Sequence, residues 1–551
     1  MPSIKLFYIF LVALFAVLIL IPPISNLAVK IGILDKCGGR KVHKNSTPRI
    51  GGVAIFFAFL IAWLIFGELD QQARGFLVGG IIVFLVGLAD DLVGLSPVRK
   101  LSCQIVAVLA AVLIGNICIV SLGNLFGGGD ITLGIFTVPF TVLAIVGVIN
   151  AVNLLDGLDG LAAGVCAIAA IAMGILAYQA DNQRLFILVM ALLGSVIGFL
   201  RYNSPPATIF MGDGGSLFLG YCMGFLSVML VTESKGMIPE ATPLIILAVP
   251  VVDTCFVIWT RLMAGKSPFA PDNNHIHHRF LALGVGHKLA VIMVYAFTYI
   301  LAIMAVTCRH LPNWKLLVCL AVVYPLVYFA LKQLSLLIGE KRQRMIRKNL
   351  SLRDARLCRR LVELSGHLRE SVKYLLVAVI FLSACTPSSP GSETSAICLF
   401  LLGLSAALLF MTHDLGNRFL LFILYFDGAF IIYQMENMGR KASFSEIPFL
   451  TISHLIFLLL LIIAGIIVFI RRKSAEMASS PLEYLIFFIV ITVPLLPGQF
   501  LGQHHLMSVA GKSVILFAGY KLILMRHAKR NRKIIVATLF ALLVVALKGI
   551  L

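Results

Sequence analysis

The sequence predicts an all-α, polytopic membrane protein with about eighteen transmembrane helices, eleven in a first block and about seven in a second. Three observations carry this. Of the 551 residues, 60% are hydrophobic and only 13% are charged. The mean hydropathy is +1.01. Apolar runs near the ~20 residues that a helix needs to cross a bilayer recur along the whole length. A water-soluble domain cannot bury that much apolar surface, and disorder requires the opposite composition. The 11 cysteines are scattered, mostly in apolar runs, with no C-x-x-C pair, which excludes a secreted disulfide scaffold.

The predicted spans of the first block fall at about 6–29, 50–67, 75–90, 101–121, 132–149, 161–179, 185–200, 213–232, 242–260, 289–307 and 315–337. Those of the second fall at about 374–386, 395–411, 419–434, 449–470, 482–497, 511–525 and 534–550. The first run does not read as a signal peptide: it is long and passes into Pro22-Pro23 without a small-residue cleavage site.

Charge sets the direction. The loop after the first span carries Lys36, Arg40, Lys41, Lys44 and Arg49, whereas Lys5 alone precedes it, so the N-terminus is expected outside and that loop inside. Alternating from there, residues 1–337 place 14 Lys/Arg inside and 6 outside. The stretch 341–373, with 11 Lys/Arg, falls inside too, as do Arg471-Arg472-Lys473 and the cluster from Arg526 to Lys533. The expected organisation is therefore a core over 1–337, a basic cytoplasmic linker or membrane-surface helix over 338–373, and a membrane extension over 374–551. The net charge of +20 is assigned to inside loops and anionic lipid rather than to nucleic acid.

Against that bias, eight acids of the core gather at the inside: Asp35, Asp90, Asp91, Asp156, Asp159, Asp213, Asp272 and, two turns into a span, Asp253. Acids at membrane depth are costly and are functional candidates by default. Asp90-Asp91 end a span, and adjacent carboxylates there need a compensating cation, metal or proton. The bland alternative is a capped helix end paired locally with Arg99 or Lys100. In the run from Asn150 to Leu161, residues 150, 153 and 156 share a helical face; with Asp159 and two glycines they suit a polar ring or a hydrated Mg2+. The segment Gly212-Asp213-Gly214-Gly215 opens a span, where free N–H groups would favour a phosphate and Asp213 could hold a metal. In Asp272 to Phe280, His275, His277 and His278 lack a cysteine partner and do not share one helix face. With Arg279 beside them, an anion clamp is preferred to zinc. Gly51-Gly52 at a span start suggests close backbone packing or ligand approach. Asp427 lies in a span of the extension, either as a hydrogen-bonded interhelical acid or as a transport site.

Taken together, the segments Asp35–Gly52, Asp90–Leu101, Asn150–Gly164, Asn203–Ser216, Pro250–Asp253 and Asp272–Gly284 resemble, in order, the polyprenyl-phosphate N-acetylhexosamine-1-phosphate transferases, the glycosyltransferase family 4 enzymes. The resemblance covers about residues 1–337. Cys37 departs from it, since the family often has proline there. What it implies is transfer of an N-acetylhexosamine 1-phosphate, GlcNAc-1-phosphate foremost, from a UDP-sugar to undecaprenyl phosphate with release of UMP. The metal would be Mg2+ (Mn2+ as a substitute). The setting would be the cytoplasmic face of a bacterial inner membrane, at the start of O-antigen, common-antigen or teichoic-acid synthesis, with a homodimer as the candidate assembly.

By that resemblance Asp213 and Asp156 are metal ligands. Asp90 and Asp91 sit by the lipid phosphate, with Asp90 as candidate base, and Asp159 and His278 complete the catalytic set. Lys44, Lys100, Asn150, Asn153, His275, His277 and Arg279 would contact substrate. The histidine segment is similar to the branch using simple UDP-sugars; the muramoyl-pentapeptide branch is second. A lipid-linked sugar flippase is the rival class. It predicts ionisable groups near mid-membrane, and in the core they lie almost only at one face.

Overall fold

Prolines, glycines and capping side chains decide where each apolar run becomes a helix. The computed structural model describes residues 5–35, 47–234, 236–267, 275–347, 356–384, 392–411, 417–438, 443–444, 447–470, 483, 485–486, 506–527 and 532–548. In the first block α1 spans Lys5–Ile31, α2 Gly51–Phe66, α3 Gln71–Val93, α4 Pro97–Gly115, α5 Thr137–Leu155 and α6 Leu161–Gln179. Then come α7 Gln183–Asn203, α8 Gly212–Thr232, α9 Thr242–Ile246, α10 Ala248–Met263, α11 Ile276–Ala282, α12 His287–Thr307 and α13 Asn313–Arg347. Among the described residues, nine helices are long and apolar enough to cross a membrane, with shorter apolar helices beside them. Two short strands, β1 Leu34–Asp35 and β2 Thr47–Pro48, pair antiparallel next to the start of α2.

Two boundaries differ from the expectation, for local reasons. The single span expected over 242–260 is broken at Leu247 into α9 and α10. Pro250 lacks an N–H and its ring crowds the carbonyl four residues back, at Ile246, where α9 stops. The span expected over 101–121 ends at Gly115 because Asn116 adopts the left-handed conformation of a C-cap (φ 49, ψ 46). The described parts of the basic stretch are drawn into helices continuous with apolar segments: α13 runs on through Arg347, and α14 begins at Arg356.

The core of this block is α6 and α8, whose most apolar windows are each 89% buried; α13, at 11%, is peripheral. Lipid gives little hydrophobic drive between helices, so close backbone approach through small residues carries the packing. A Cβ on Gly220 would lie 2.6 Å from the Cα of Ile149 on α5, and one on Gly87 2.5 Å from the Asp213 carbonyl oxygen on α8. Between α2, α3 and α8 the aromatic rings interlock: Phe56 stacks on Phe84 with centroids 4.1 Å apart, and Phe218 meets Phe56 edge-on at 5.1 Å. At the end of the bundle away from the acids of the site, Arg184 bridges Asp70 (2.8 Å) and Glu233 (3.7 Å), joining α3, α7 and α8. These two acids thus tie helix ends together.

By compactness the chain forms two units, 1–348 with 480–489, and 349–479 with 490–551. In the second, α14 spans Arg356–Ala384, α15 Ser392–Met411, α16 Asn417–Met438, α17 Phe449–Ile470, α18 Leu506–His527 and α19 Arg532–Lys548. The span expected over 482–497 lies almost wholly outside the described residues. Asp427 accepts a hydrogen bond from the Ser405 hydroxyl on α15 at 2.9 Å, which is the interhelical acid of the first alternative. Lys512 pairs with Glu436 and donates to the Ser453 hydroxyl at 2.7 Å, so the buried cation joins α16, α17 and α18.

The start of α2 is a tight backbone junction. The Gly51 and Gly52 N–H groups donate to the carbonyls of Phe210 (2.9 Å) and Met211 (2.8 Å), and a Cβ on Gly52 would lie 2.2 Å from the Gly215 nitrogen. Gly52→Ala must push backbone apart. It should cost roughly 1–3 kcal/mol, read as a clear drop in thermal midpoint in detergent. An unchanged midpoint would contradict this packing.

Candidate active site at one end of the helical bundle

The first unit's loops and helix ends with the clustered acids meet at one end. Helix α3 finishes on Asp90-Asp91 because Gly94, at φ +70, turns the chain and its N–H caps the Asp90 carbonyl. The chain re-enters helix at once: Ser96 caps α4, with Pro97 in its first turn. That tight corner brings Lys100 back over Asp90. Its ammonium donates to Asp90 Oδ2 at 2.8 Å and to Asp213 Oδ1 at 2.6 Å. The Leu95 N–H takes Asp90 Oδ1 at 2.6 Å. The local pairing allowed by the sequence is therefore real for Lys100, and it extends to an acid 113 residues away.

Asp91 does something the sequence did not suggest. Its carboxylate accepts the N–H of Asp213 (2.8 Å) and of Gly214 (2.9 Å), capping the start of α8. The free N–H groups expected there for a phosphate are occupied by the protein's own anion, which the positive end of the helix dipole favours. Gly212, at φ +74, lets the chain turn into α8, and a Cβ there would lie 2.5 Å from Asp91 Oδ2.

Asp213 is the hub. Besides Lys100, Asn153 donates to its Oδ1 at 2.9 Å, and Arg49 donates to its Oδ2 at 2.6 Å while lying 3.4 Å from Asp91. Arg49 was not among the sequence-based site residues, because inside-loop topology alone accounted for it. The signal lay in its neighbours, Gly51-Gly52, whose fit against 210–215 delivers the guanidinium.

The turn after α5 carries Asp156 and Asp159. Asp159 Oδ2 accepts the Ala207 N–H at 2.9 Å. Gly160, at φ +78, donates to Asn203 Oδ1 (2.9 Å), and its carbonyl accepts the Tyr295 hydroxyl (2.6 Å). The Asp156 N–H caps α5 on the Asn153 carbonyl (3.1 Å), but its carboxylate makes no hydrogen bond with any described residue. Burial first, then the charge of Asp213, push its carboxyl up to about 7; Arg49 opposes, and Asp91 and Asp159 add to the rise. Asn150 turns away from this group, donating to Gln104 Oε1 at 2.7 Å and to the Val146 carbonyl at 2.9 Å.

The histidines separate by role. His275 Nδ1 lies 2.9 Å from Asp253 Oδ2, and Asp253 Oδ1 accepts the Ile276 N–H, so that pair starts α11. His277 is 1% exposed, packed against Gly157 and 4.2 Å from the His278 ring; burial, then the neighbouring histidines, hold it down at about 3, a neutral ring. Arg279 stacks on Phe256 at 4.3 Å. Of the four basic groups expected to clamp an anion, only His278 lines the cavity. Lys44 lies outside the described residues, as does Asp272.

That cavity has a volume of about 770 Å³. Its walls include Asn153, Asp156, Asp159, Asp213 and His278, together with Asp35, which the sequence names only among the gathered acids, and Arg49, Asn203, His287 and Lys288, to which it assigns no role. It brings polar and acidic groups from α5, α8 and the α11–α12 corner around one space, large enough for a drug-sized ligand. No described group of three or more His, Cys, Asp or Glu is preformed to hold a metal.

The sequence profile of glycosyl transferase family 4 matches residues 73–231. The chain is 35% identical over 343 residues to a probable undecaprenyl-phosphate N-acetylglucosaminyl 1-phosphate transferase of Bacillus subtilis (strain 168), covering 60% of this chain and 92% of that protein. It is 30% identical over 339 residues to the undecaprenyl-phosphate alpha-N-acetylglucosaminyl 1-phosphate transferase of Yersinia pestis, covering 60% and 92%. With the Haemophilus influenzae protein of that name it shares 34% over 299 residues, 53% of this chain and 82% of that one.

The state of Asp156 has a measurable sign. Its carboxyl in the folded protein titrates near 7, above the ~3.9 of an unfolded chain, so the fold loses stability as the pH rises between those values. In chelator, Asp156→Asn should melt roughly 2–5 °C above the parent at pH 8, the gap closing towards pH 4. Equal melting at pH 8 would refute it.

Proposed function

The chain belongs to glycosyl transferase family 4, and from that premise we propose that it transfers N-acetylglucosamine 1-phosphate from UDP-GlcNAc to undecaprenyl phosphate, releasing UMP. The observation that carries the reading is Asp213. It is a half-buried carboxylate held by Lys100, Arg49 and Asn153 on the wall of a cavity at the ends of membrane-spanning helices. One substrate is a lipid and the other a water-soluble dianion, so the reaction needs a polar site at a membrane face. The positive-inside bias supports the cytoplasmic face of a bacterial inner membrane, with the N-terminus outside.

A lipid-phosphate oxygen attacks the β-phosphorus of the UDP-sugar, and the bond to the UMP oxygen breaks. A phosphate monoester has its second pKa near ~6, so the attacking group is mostly dianionic at neutral pH and needs little help from a base. Both Asp90 oxygens are engaged by Leu95 and Lys100, and Asp90 does not line the cavity. This supports a positioning role for Asp90, acting through Lys100, and single displacement. Asp91 positions α8, and Asp159 holds its turn beside Ala207. We place the nucleotide at the end lined by Asn153 and the Asp156–Asp159 turn; His278 lines the same cavity.

The residues fit Mg2+. This ion takes one or two carboxylates plus substrate phosphate and water rather than a protein cage. Asp156, whose carboxylate makes no hydrogen bond with any described residue, and Asp213 offer that pair in an excess of negative charge. The ion would supply charge neutralisation on the phosphate oxygens, and Mn2+ would substitute.

Purified protein with undecaprenyl phosphate, Mg2+ and a panel of UDP-sugars should release UMP, fastest with UDP-GlcNAc. Chelation should abolish release, and Asp213→Asn should lower kcat at least ~100-fold. No UMP from any UDP-sugar would sink the proposal. Asp90→Asn should lose activity by the same factor at pH 7 and pH 9; recovery at alkaline pH would restore Asp90 as a base.

A further inference from the structure

The cavity is short of available positive charge. Asp35, Asp156, Asp159 and Asp213 line it, against two fixed cations, Arg49 and Lys288. Arg49 is taken up by Asp213 and Asp91. Lys100 is taken up by Asp90 and Asp213 and does not line the cavity. Arg279, the cation the sequence favoured for an anion, rests on Phe256. Lys288 is left. It sits half-buried in the first turn of α12 and makes no ion pair or side-chain hydrogen bond with any described residue. Val291, three residues on, lines the cavity as well, so one face of α12 forms this wall and Lys288 belongs to it.

We propose that Lys288 binds the diphosphate of the sugar nucleotide, as the one fixed cation of the cavity that the described residues leave to a ligand. The inference rests on the reaction proposed above and adds a residue to it. The wall that carries Lys288 adjoins the nucleotide end: His277 of α11 packs against Gly157 in the Asp156–Asp159 turn, and α11 leads directly into α12. The four carboxylates that line the cavity outnumber its two fixed cations, so a dianionic diphosphate enters against negative charge, and a lysine supplies a point charge with three donors. Arg49 and Lys100 cannot serve without releasing Asp213, on which the site is built.

The test uses the full chain in detergent with Mg2+. UDP binding is measured by titration calorimetry, and turnover by UMP release. Replacing Lys288 by Gln should weaken UDP binding roughly tenfold or more, with Lys288→Arg close to the parent. The KM for UDP-GlcNAc should rise by the same factor, while the KM for undecaprenyl phosphate stays within about twofold. If Lys288→Gln does not yield monodisperse protein, Lys288→Met, unbranched and apolar, gives the same reading. UDP affinity unchanged in an active background overturns the inference and leaves the reaction standing. A change confined to the KM for undecaprenyl phosphate moves Lys288 to the lipid and also overturns it. Parent protein that releases no UMP sinks the reaction itself.

Discussion

Carboxylates crowded at one end of a helical bundle repel one another unless cations or backbone donors are set between them. The way this chain meets that constraint shapes everything near the site. Lys100 lies between Asp90 and Asp213, and Arg49 between Asp91 and Asp213. The first turn of α8 takes the remaining capacity of Asp91. The geometry of α8, α3, α4 and the entry to α2 follows from these contacts, since none of the four could shift without leaving a charge unpaired in a partly buried place. The Asp156 carboxylate alone stands outside the arrangement, with no hydrogen bond among the described residues and a pKa that burial and its neighbours push up. The protein neutralises the acids that hold the fold and leaves the carboxylate of one, Asp156, on the cavity wall for whatever enters.

The close approach of backbones makes those pairings reachable. Gly52 against Gly215, Gly87 against Asp213 and Gly220 against Ile149 remove the side chains that would otherwise keep α2, α3 and α5 away from α8. Each contact lets short side chains such as Asp91 and Asn153 span the remaining gap. Packing in the apolar part of the spans and hydrogen bonding at their polar ends are thus one problem: the first fixes the distances that the second needs. On the far side, the Asp70–Arg184–Glu233 group ties the same helices, so the bundle is held at both ends.

The second unit solves a simpler version of the burial problem. Asp427 takes a hydroxyl hydrogen bond from Ser405, and Lys512 is matched by Glu436 and Ser453. Every residue that lines the described cavity belongs to the first unit.

From the sequence alone, the helical membrane class followed from composition. The gathering of acids at one face followed from charge counting, because both are sums over residues and need no coordinates. The run 161–179 is a helix with those bounds since no proline or left-handed residue interrupts it. What the sequence could not settle was partnership. Lys100 and Asp213 are 113 positions apart, Arg49 and Asp213 164, and nothing local distinguishes Lys100 from Arg99 or Arg49 from the basic loop before it. The same holds for the histidine segment. Composition offers four basic groups in five positions, but only the fold decides that His275 is bound to Asp253, that His277 is dry and neutral, that Arg279 lies on Phe256, and that Lys288, from the next helix, faces the cavity. Residue type fixes what a group can bind; the packing of distant helices fixes which partners are within about 3 Å, and charge interactions are decided at that distance.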